Sequence, residues 1–294
     1  IGEGAGEGEV AWRDGVRLGA RLRACIRASS TLGTPPLACG VYAITGGLGG
    51  LGLRAAALLA VGGAIGMVLV SRSGRAGVER HQLSLPSGAT VCVVGSDASD
   101  ATDASWMLRL VALGGVLHAA GVLRDRMVRS LAADDMDASF APKAAAAWHA
   151  STALAHAPLE AYGLFSSVTS AFGNVGQANY AASNACLDAL ALARRVRGTL
   201  GSSLQIPAVS GAGMGAATFD REQLDAVGAC SLDEFAACLS LSLAPARAAA
   251  ERTQAPLPLE LPKSVLQSLG SSLQSRFSEL AAGAAGQTAG ASAG

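Results

Sequence analysis

Several kinds of functional site need residue patterns that this sequence lacks. Lysine and arginine are scattered and balanced by acidic residues, so the formal net charge is zero and no dense basic face is predicted. A nucleic-acid surface or an electrostatic membrane contact needs such a face, and we expect neither. The six cysteines form no CxxC pair and the four histidines are not at metal-ligand spacing. We therefore expect reduced thiols and no metal.

A long apolar stretch is also missing. The longest apolar run, residues 55–70, is shorter than the ~20 residues that span a bilayer, and Gly62 and Gly63 interrupt it. A helix, a turn and a buried strand explain this run, so no membrane span is predicted. The chain begins at Ile1 and shows no signal-peptide pattern, so we expect a cytoplasmic, intracellular piece of a longer protein.

What the sequence does contain is an alternation of short apolar strands and helices. Strands are predicted at 40–45, 67–71, 90–95, 115–120, 162–167 and 203–209, and helices at 49–61, 101–112, 138–156 and 177–197. The alternation predicts an α/β fold, a Rossmann-like doubly wound parallel sheet with helices on both faces. We expect this domain to occupy 40–245.

The two ends of the chain have a different composition. Residues 1–39 begin with a Gly- and Glu-rich stretch, typical of a linker, and then alternate in strand fashion around Asp14-Gly15, which predicts a hairpin turn. Residues 246–294 are rich in Ala, Pro, Ser and Gly and are interpreted as a linker, with an amphipathic helix near 263–280.

A glycine-rich loop, Thr45 to Gly52, joins the first strand of the alternation to its helix. Glycine allows the backbone to approach a pyrophosphate, and the helix N-terminus supplies free N–H groups. A chance match is easy in a chain with 37 glycines, but the strand before and the helix after favour a dinucleotide site. Twenty residues beyond Gly52 the chain has Ser71-Arg72 rather than an acid, which favours NADPH because a guanidinium suits a 2′-phosphate.

Asp97 follows the third predicted strand, where a side chain could contact the adenine of the cofactor. Arg72 and Asp97 each have a purely structural interpretation as well. Arg72 could be an ordinary surface arginine, and Asp97 could cap its own loop.

Four further residues have the side chains that reduction of a ketone needs: Lys143, Ser167, Tyr180 and Asn184. Hydride addition builds negative charge on the carbonyl oxygen, so a proton donor and hydrogen-bond donors must face it. Tyr180 can give the proton, Ser167 can hold the carbonyl, and a Lys143 ammonium can stabilise the phenolate. Asn184, one helical turn after Tyr180, can hold Lys143 and a water. Taken singly, each of these residues could instead have an ordinary structural role, as a buried core residue, a helix cap or a solvated surface residue.

Together these residues resemble a known family. The runs ITGGLGGLG, VLVSRSG, HAAGVLRD, LFSSVTSAFGNVGQANYAASNACLDAL and GAGMG, in that order over about 40–243, are similar to the ketoreductase domains of modular polyketide synthases. Ordinary short-chain dehydrogenases carry Tyr-x-x-x-Lys, whereas this chain has Asn184 there and its lysine upstream at 143.

The resemblance implies an NADPH-dependent reduction of a β-ketoacyl thioester on the phosphopantetheine arm of an acyl carrier protein domain, during polyketide or fatty-acid chain elongation. Neighbouring synthase domains are the other expected partners. The resemblance also implies that Lys143, Ser167, Tyr180 and Asn184 are catalytic and that the cofactor contacts are Gly47, Gly49, Leu51, Gly52, Ser71, Arg72, Asp97, Ala119, Ala120 and Gly121. Family members have a truncated, noncatalytic first half, of which only the last strands, at about 9–24, are expected here.

The sequence departs from the family pattern in two places. Ile206-Pro207-Ala208-Val209 replaces a Trp-Gly-Pro-Trp stretch near the nicotinamide, and Leu123-Arg124-Asp125 keeps only the second acid of the B-type Leu-Asp-Asp motif. Phe172 stands where A-type members have tryptophan, so we expect B-type products. Two alternatives to the main hypothesis are a catalytically silent structural or docking domain and a free-standing reductase of a small ketone.

Overall fold

The structure is a computed structural model that describes residues 10–19, 39–74, 89–218, 220, 222, 224, 229–243 and 253–254. The chain divides into two compact units, one made of residues 1–33 with 258–294 and the other of 34–257. In the first unit, β1 (Val10–Arg13) pairs antiparallel with β2 (Val16–Gly19). Asp14 and Gly15 between them have φ of 50° and 77°, as a two-residue hairpin turn requires. The predicted hairpin is therefore confirmed.

The second unit is built on a parallel sheet. Its strands are β3 (Val41–Thr45), β4 (Gly66–Ser71), β5 (Thr90–Gly95), β6 (Gly115–His118), β7 (Ala161–Ser167), β8 (Ser202–Ile206) and β9 (Thr253–Gln254). They lie in the order β5-β4-β3-β6-β7-β8-β9, with every neighbouring pair parallel. The strand order reverses between β3 and β6, and doubly wound folds bind ligands in the crevice beyond the carboxyl ends of such strands.

Helices cover both faces of this sheet. They are α1 (Gly50–Val61), α2 (Ala101–Met107), α3 (Ala133–Phe140), α4 (Ala146–Ala153), α5 (Thr169–Phe172), α6 (Ala178–Val196), α7 (Gly213–Thr218) and α8 (Leu232–Leu243). Apolar side chains of α1 and α8 pack on one face of the sheet, and those of α2, α4 and α6 pack on the other. Consecutive strand residues point to opposite faces, so Ile44 joins the first core and Ala43 the second. The predicted fold class is confirmed.

Three predicted boundaries of helices and strands were wrong. The helix predicted at 101–112 ends at Met107, where tight backbone bonds such as Arg109 N–H to Trp106 O replace the helical pattern and turn the chain back to β6. The strand predicted at 203–209 ends at Ile206 because Pro207 has no N–H to donate. The helix predicted at 138–156 begins at Ala133 and contains a π-helical turn, Ala141–Ala145, between α3 and α4.

Three further predictions concern the C-terminal helix, membrane spans and metal sites. The amphipathic helix near 263–280 lies outside the described residues. Within the described ranges, no helix has the length and apolar character needed to cross a bilayer. In the same part of the chain, no three His, Cys, Asp or Glu side chains are grouped so that they could hold a metal ion.

Candidate active site

The structure brings Lys143, Ser167, Tyr180 and Asn184 together, and we call these four residues, which the sequence analysis expects to be catalytic, the catalytic cluster. Ser167 ends β7, Tyr180 lies in the first turn of α6, and Asn184 follows one turn later. Lys143 comes from the π-helical turn, and its Nζ lies 5.4 Å from the centre of the Tyr180 ring. All four side chains are buried. Residues from three separate segments of the chain thus form one buried polar site.

Lys143 is one of only two lysines in the sequence, the other being Lys263. Its Nζ donates a hydrogen bond of 2.8 Å to the carbonyl oxygen of Phe165. Its aliphatic part passes directly over Gly121, where a Cβ atom would lie 2.8 Å from Lys143 Cε. Burial lowers the pKa of Lys143 to about 7, and the charge of Asp188 acts in the opposite direction. The amine therefore changes protonation state near neutral pH.

Tyr180 is surrounded by groups that act on its phenol in opposite directions. Burial raises the pKa of Tyr180, whereas hydrogen bonds with the side chains of Asn184 and Ser167 lower it and the charge of Asp125 raises it. Ser167 Oγ accepts a bond of 3.2 Å from the Thr169 N–H, which leaves its own proton for another acceptor. At neutral pH the phenol is therefore protonated and has donors beside it that favour the phenolate once the proton leaves.

The sequence predicts that Asn184 holds Lys143, but the structure shows different hydrogen bonds for both residues. Its Nδ2 donates to the Tyr180 carbonyl oxygen at 2.8 Å, while Lys143 donates to Phe165. Asn184 Oδ1 is buried and has no hydrogen-bond partner. A buried amide oxygen without a partner is costly, so this atom offers an acceptor to a water or ligand in the site.

Sequence reasoning missed Asp188, one turn beyond Asn184 on α6. Its carboxylate accepts hydrogen bonds from Ser170 Oγ at 2.7 Å, from Gln205 Nε2 at 2.8 Å and from Ser203 Oγ. Ser170 Oγ also lies 2.8 Å from the Ser167 carbonyl oxygen. Asp188 therefore ties α6 to β8 and to the chain just after β7. The signal was present in the sequence, since 180, 184 and 188 share one helical face.

Asn179 was missed as well, although it precedes Tyr180 directly. It is fully buried, and its Nδ2 donates to Arg124 O at 2.8 Å and Ser139 Oγ at 3.0 Å, while its Oδ1 accepts from Tyr180 N–H at 2.9 Å. Asp125, the acid kept from the B-type motif, accepts from Gln177 Nε2 at 3.1 Å. The start of α6 is thus fixed to the segment around 124–125.

The glycine loop after β3 is shaped by close backbone contacts. Gly46 has a φ of 67°, and a Cβ atom there would lie 2.7 Å from Ala120 N. A Cβ atom at Gly47 would lie 2.6 Å from Ile44 O, and one at Gly52 would lie 2.5 Å from Gly46 O. Side chains would not fit at these positions, so the loop follows the path that a pyrophosphate site requires.

The N-terminus of α1 presents free N–H groups beside this loop. Gly49 is the N-cap residue, and the first helical hydrogen bond runs from Leu53 N–H to Gly49 O at 2.8 Å. The N–H groups of 50–52 therefore precede the helical pattern, and Leu51 and Gly52 are among them. No acidic side chain occupies the first turn of α1. These groups suit an anionic phosphate.

A cleft of about 180 Å³ adjoins the loop and is lined in part by Ser71, Arg72, Asp97, Ala120 and Gly121. We call Ser71, Arg72 and Asp97 the cofactor rim. Asp97 Oδ1 accepts from Ser99 N–H at 3.0 Å and Ser99 Oγ at 2.6 Å, so this carboxylate does cap its own loop. That hydrogen bonding and nearby Arg72 lower the pKa of Asp97.

Two features of the cleft match a dinucleotide. Ser96 Oγ is buried in its wall and has no hydrogen-bond partner. Ala119 also lies at this end of the sheet, where its N–H donates to Thr45 O at 2.9 Å. A buried hydroxyl without a partner, together with a loop in which Gly46, Gly47 and Gly52 leave no room for a Cβ atom, fits a bound nicotinamide dinucleotide.

The segment that replaces the family's Trp-Gly-Pro-Trp stretch has a defined path. Val209 is buried and forms a bridge with Cys230, whose N–H donates to Ala208 O at 2.9 Å. Farther on, a Cβ atom at Gly50 would lie 2.5 Å from the Cβ of Ala212, so 211–213 packs against the start of α1. The backbone beyond β8 is therefore held without the tryptophans.

Comparison with known proteins agrees with this geometry. A family model described as "KR domain" matches residues 40–211. Polyketide synthase GfsB of Streptomyces halstedii is 41% identical over 179 residues, which are 58% of this chain and 3% of that protein. The 6-methylsalicylic acid synthase AOL_s00215g283 of Arthrobotrys oligospora is 35% identical over 246 residues, which are 76% of this chain and 14% of that protein. The chain thus spans a small part of the relatives it matches.

Solved structures give the same result. A structure described as A-type ketoreductases from a modular polyketide synthase superposes with a TM-score of 0.77 and 31% identity, covering 94% of this chain and 60% of that one. A second, described as an A1-type ketoreductase, superposes with a TM-score of 0.78 and 30% identity over the same shares of the two chains.

Proposed function

The chain belongs to the KR domain family of polyketide synthases, and from this premise we propose that its 40–245 domain reduces a β-ketoacyl thioester with NADPH. The substrate arrives on the phosphopantetheine arm of an acyl carrier protein domain, and the product is the β-hydroxyacyl thioester. The observation that carries the proposal is the enclosed catalytic cluster, with Lys143 Nζ 5.4 Å from the Tyr180 ring centre.

The residues present would hold the cofactor along the crevice between β3 and β6. The pyrophosphate would lie beside Gly47 and Gly49, which have no side chain to block it, and against the N–H groups of Leu51 and Gly52 at the helix N-terminus. Ser71 and Arg72 would contact the 2′-phosphate, Asp97 and the free Ser96 hydroxyl the adenosine, and Ala119 to Gly121 the ribose. NADPH, when bound, supplies the hydride.

Proton transfer is the work of the chain's own residues. Ser167 donates a hydrogen bond to the substrate carbonyl, and Tyr180 donates the proton as negative charge develops on that oxygen. Burial raises the pKa of Tyr180, so the phenol holds its proton until the carbonyl oxygen becomes basic. A phenol that is protonated at neutral pH is in the state that a general acid needs.

The phenolate that remains must then be stabilised, and a solvent water, for which Asn184 Oδ1 is a free acceptor, returns its proton. The Lys143 ammonium and the Asn184 and Ser167 side chains favour the phenolate. Because the pKa of Lys143 is about 7, the ammonium is lost as the pH rises through that value. Reduction is therefore expected to slow on the alkaline side of neutrality, and the pH dependence of kcat measures this directly.

The decisive experiment compares two tyrosine variants with the wild-type chain. Tyr180→Phe should lower the turnover of a β-ketoacyl thioester mimic by about 10²- to 10⁴-fold, with NADPH affinity almost unchanged. Tyr162→Phe is the matched control, because it also removes a buried phenol, one that donates to Ala147 O at 2.9 Å. Turnover is followed by the loss of reduced-nicotinamide absorbance, and binding by fluorescence titration.

Two results would contradict the proposal. A Tyr180→Phe variant with wild-type turnover would show that the proton donor is wrong. A wild-type chain that neither binds NADPH nor turns over the thioester would favour a silent domain between neighbouring synthase domains. The B-type configuration stays a prediction, and chiral analysis of the alcohol tests it.

A further inference from the structure

His118 is a buried ionisable residue to which the proposed reaction gives no part. It ends β6, is fully buried, and lies beside Thr45, its register partner on β3. Its Nδ1 is 2.6 Å from Thr45 Oγ1, and its Nε2 is 2.9 Å from the carbonyl oxygen of Lys143. One imidazole therefore lies between the glycine loop and the backbone of the catalytic lysine.

The partners of His118 fix its tautomer. A carbonyl oxygen only accepts hydrogen bonds, so Nε2 must carry the proton that is donated to Lys143 O. Nδ1 then accepts from the Thr45 hydroxyl. Burial and the charge of Lys143 lower the pKa of His118 to about 3, so the ring stays neutral under ordinary conditions. The imidazole is thus a fixed hydrogen-bond bridge rather than an acid or base.

The π-helical turn explains why the Lys143 backbone needs such a partner. A π-helical turn has wider hydrogen bonding than an α-helix and is frequent at functional sites. Within it, Lys143 O lies near the N–H of Ala146 and also faces the His118 ring. The direction of the Lys143 side chain, over Gly121 towards Phe165 O, depends on how this turn is held.

We propose that His118 is a positioning residue that fixes the π-helical turn through the Lys143 carbonyl oxygen and connects it to Thr45 at the base of the glycine loop. The position of Lys143 Nζ beside Tyr180 is then set by the same side chain that contacts the glycine loop. This inference rests on the proposed function for its effect on turnover, but its structural part does not.

Two amide variants separate the two hydrogen bonds. In His118→Gln the side-chain NH₂ can reach the place of Nε2 and donate to Lys143 O. In His118→Asn the side-chain oxygen can take the place of Nδ1 and accept from Thr45, but the donor to Lys143 is lost. We expect kcat to fall on the order of tenfold to a hundredfold in His118→Asn and no more than about threefold in His118→Gln.

The pH profile distinguishes positioning from general loss of structure. When the turn loosens in His118→Asn, Lys143 becomes less buried and its pKa rises, so the alkaline limb of kcat moves to higher pH. His118→Gln should keep the wild-type limb. The charge of Asp188 acts on the pKa of Lys143 and that of Asp125 acts on the pKa of Tyr180, and both variants leave these two carboxylates in place.

A measurement on the wild-type chain covers the case in which a variant fails to fold. In ¹⁵N-histidine NMR, His118 should be the neutral Nε2–H tautomer and should not titrate between about pH 5 and 8. An Nδ1–H tautomer, or equal kcat and pH limbs in the two amide variants, would overturn the role of His118. Absence of turnover in the wild-type chain would instead contradict the proposed function and leave the NMR result standing.

Discussion

The catalytic cluster and the cofactor rim lie at the same end of the sheet but differ in how firmly their side chains are held. Lys143 and Asn184 are 3% and 0% exposed and are bonded to backbone carbonyl groups, whereas Arg72 and Asp97 face solvent. Hydrogen bonds and charges act more strongly away from water, and exposed ion pairs contribute little. Changes in the cluster should therefore act on turnover, and changes in the rim on cofactor affinity.

The strongest test of this difference is Lys143→Met. We expect kcat to fall about 10²-fold or more because the phenolate loses its ammonium. The free energy of unfolding should not decrease, because a buried amine with a pKa of about 7 is unfavourable in the folded chain. Steady-state kinetics and urea denaturation measure the two effects.

Lys263→Met is the control, since it removes the same charge at the only other lysine. It also assigns the two signals in ¹⁵N-lysine NMR, where the Lys143 amine should titrate near pH 7. An ordinary lysine pKa for that signal would refute the buried cluster.

Asp188→Asn should have the next largest effect. An amide cannot accept all three hydrogen bonds of the carboxylate, and one of its ends is a donor facing Ser203, Ser170 or Gln205. We expect kcat to fall about tenfold. Because Asp188 raises the pKa of Lys143, its removal should move the alkaline limb of kcat to lower pH, opposite to His118→Asn.

Asp134→Asn on the exposed side of α3 is the matched control for Asp188→Asn and should leave both kcat and its pH profile as in the wild type. A normal pH profile in Asp188→Asn would mean that this carboxylate only supports packing between α6 and β8.

Arg72→Ala tests the rim. Loss of the guanidinium should raise the dissociation constant of NADPH about tenfold, leave that of NADH unchanged, and leave kcat at saturating cofactor near the wild-type value. Arg109→Ala, another exposed arginine, is the control. Fluorescence titration with the two cofactors gives the comparison, and an equal loss for both would contradict a 2′-phosphate contact.

Ser99→Ala should have the smallest effect. It removes the hydroxyl that donates to Asp97 at 2.6 Å, but the Ser99 N–H still donates to the same oxygen at 3.0 Å. In a solvent-exposed rim we expect a change in NADPH affinity of less than about threefold. A tenfold loss, measured by the same titration, would show that the rim is as rigid as the catalytic cluster.

The sequence predicted most of the fold because most of the buried strands and helices have a local pattern, although it did not predict α8 and β9. Strands β3 to β7 contain short apolar runs, and the glycines of the loop after β3 mark it directly. The pairing of Tyr180 with Asn184 also follows from helical spacing. These features depend on neighbouring residues alone, so a single sequence is enough to find them.

The parts that the sequence did not reveal depend on contacts between distant residues. No periodicity predicts the π-helical turn at Ala141–Ala145, and without that turn nothing indicates that Lys143 faces Phe165 O. Asp188 has the correct helical spacing, but its three donors come from other elements of the chain. The C-terminal end of α2 was predicted wrongly for the same reason, because the return of the chain to β6 decides where that helix stops.

The most direct test of the proposed reaction follows the hydrogen itself. The wild-type chain is incubated with NADPH deuterated at the transferable position and a β-ketoacyl thioester, and the product is analysed by mass spectrometry. We predict a β-hydroxyacyl thioester that carries one deuterium on the carbinol carbon, formed by the wild-type chain and almost absent with Tyr180→Phe. No hydroxy product from the wild-type chain, or a product without deuterium, would contradict the account.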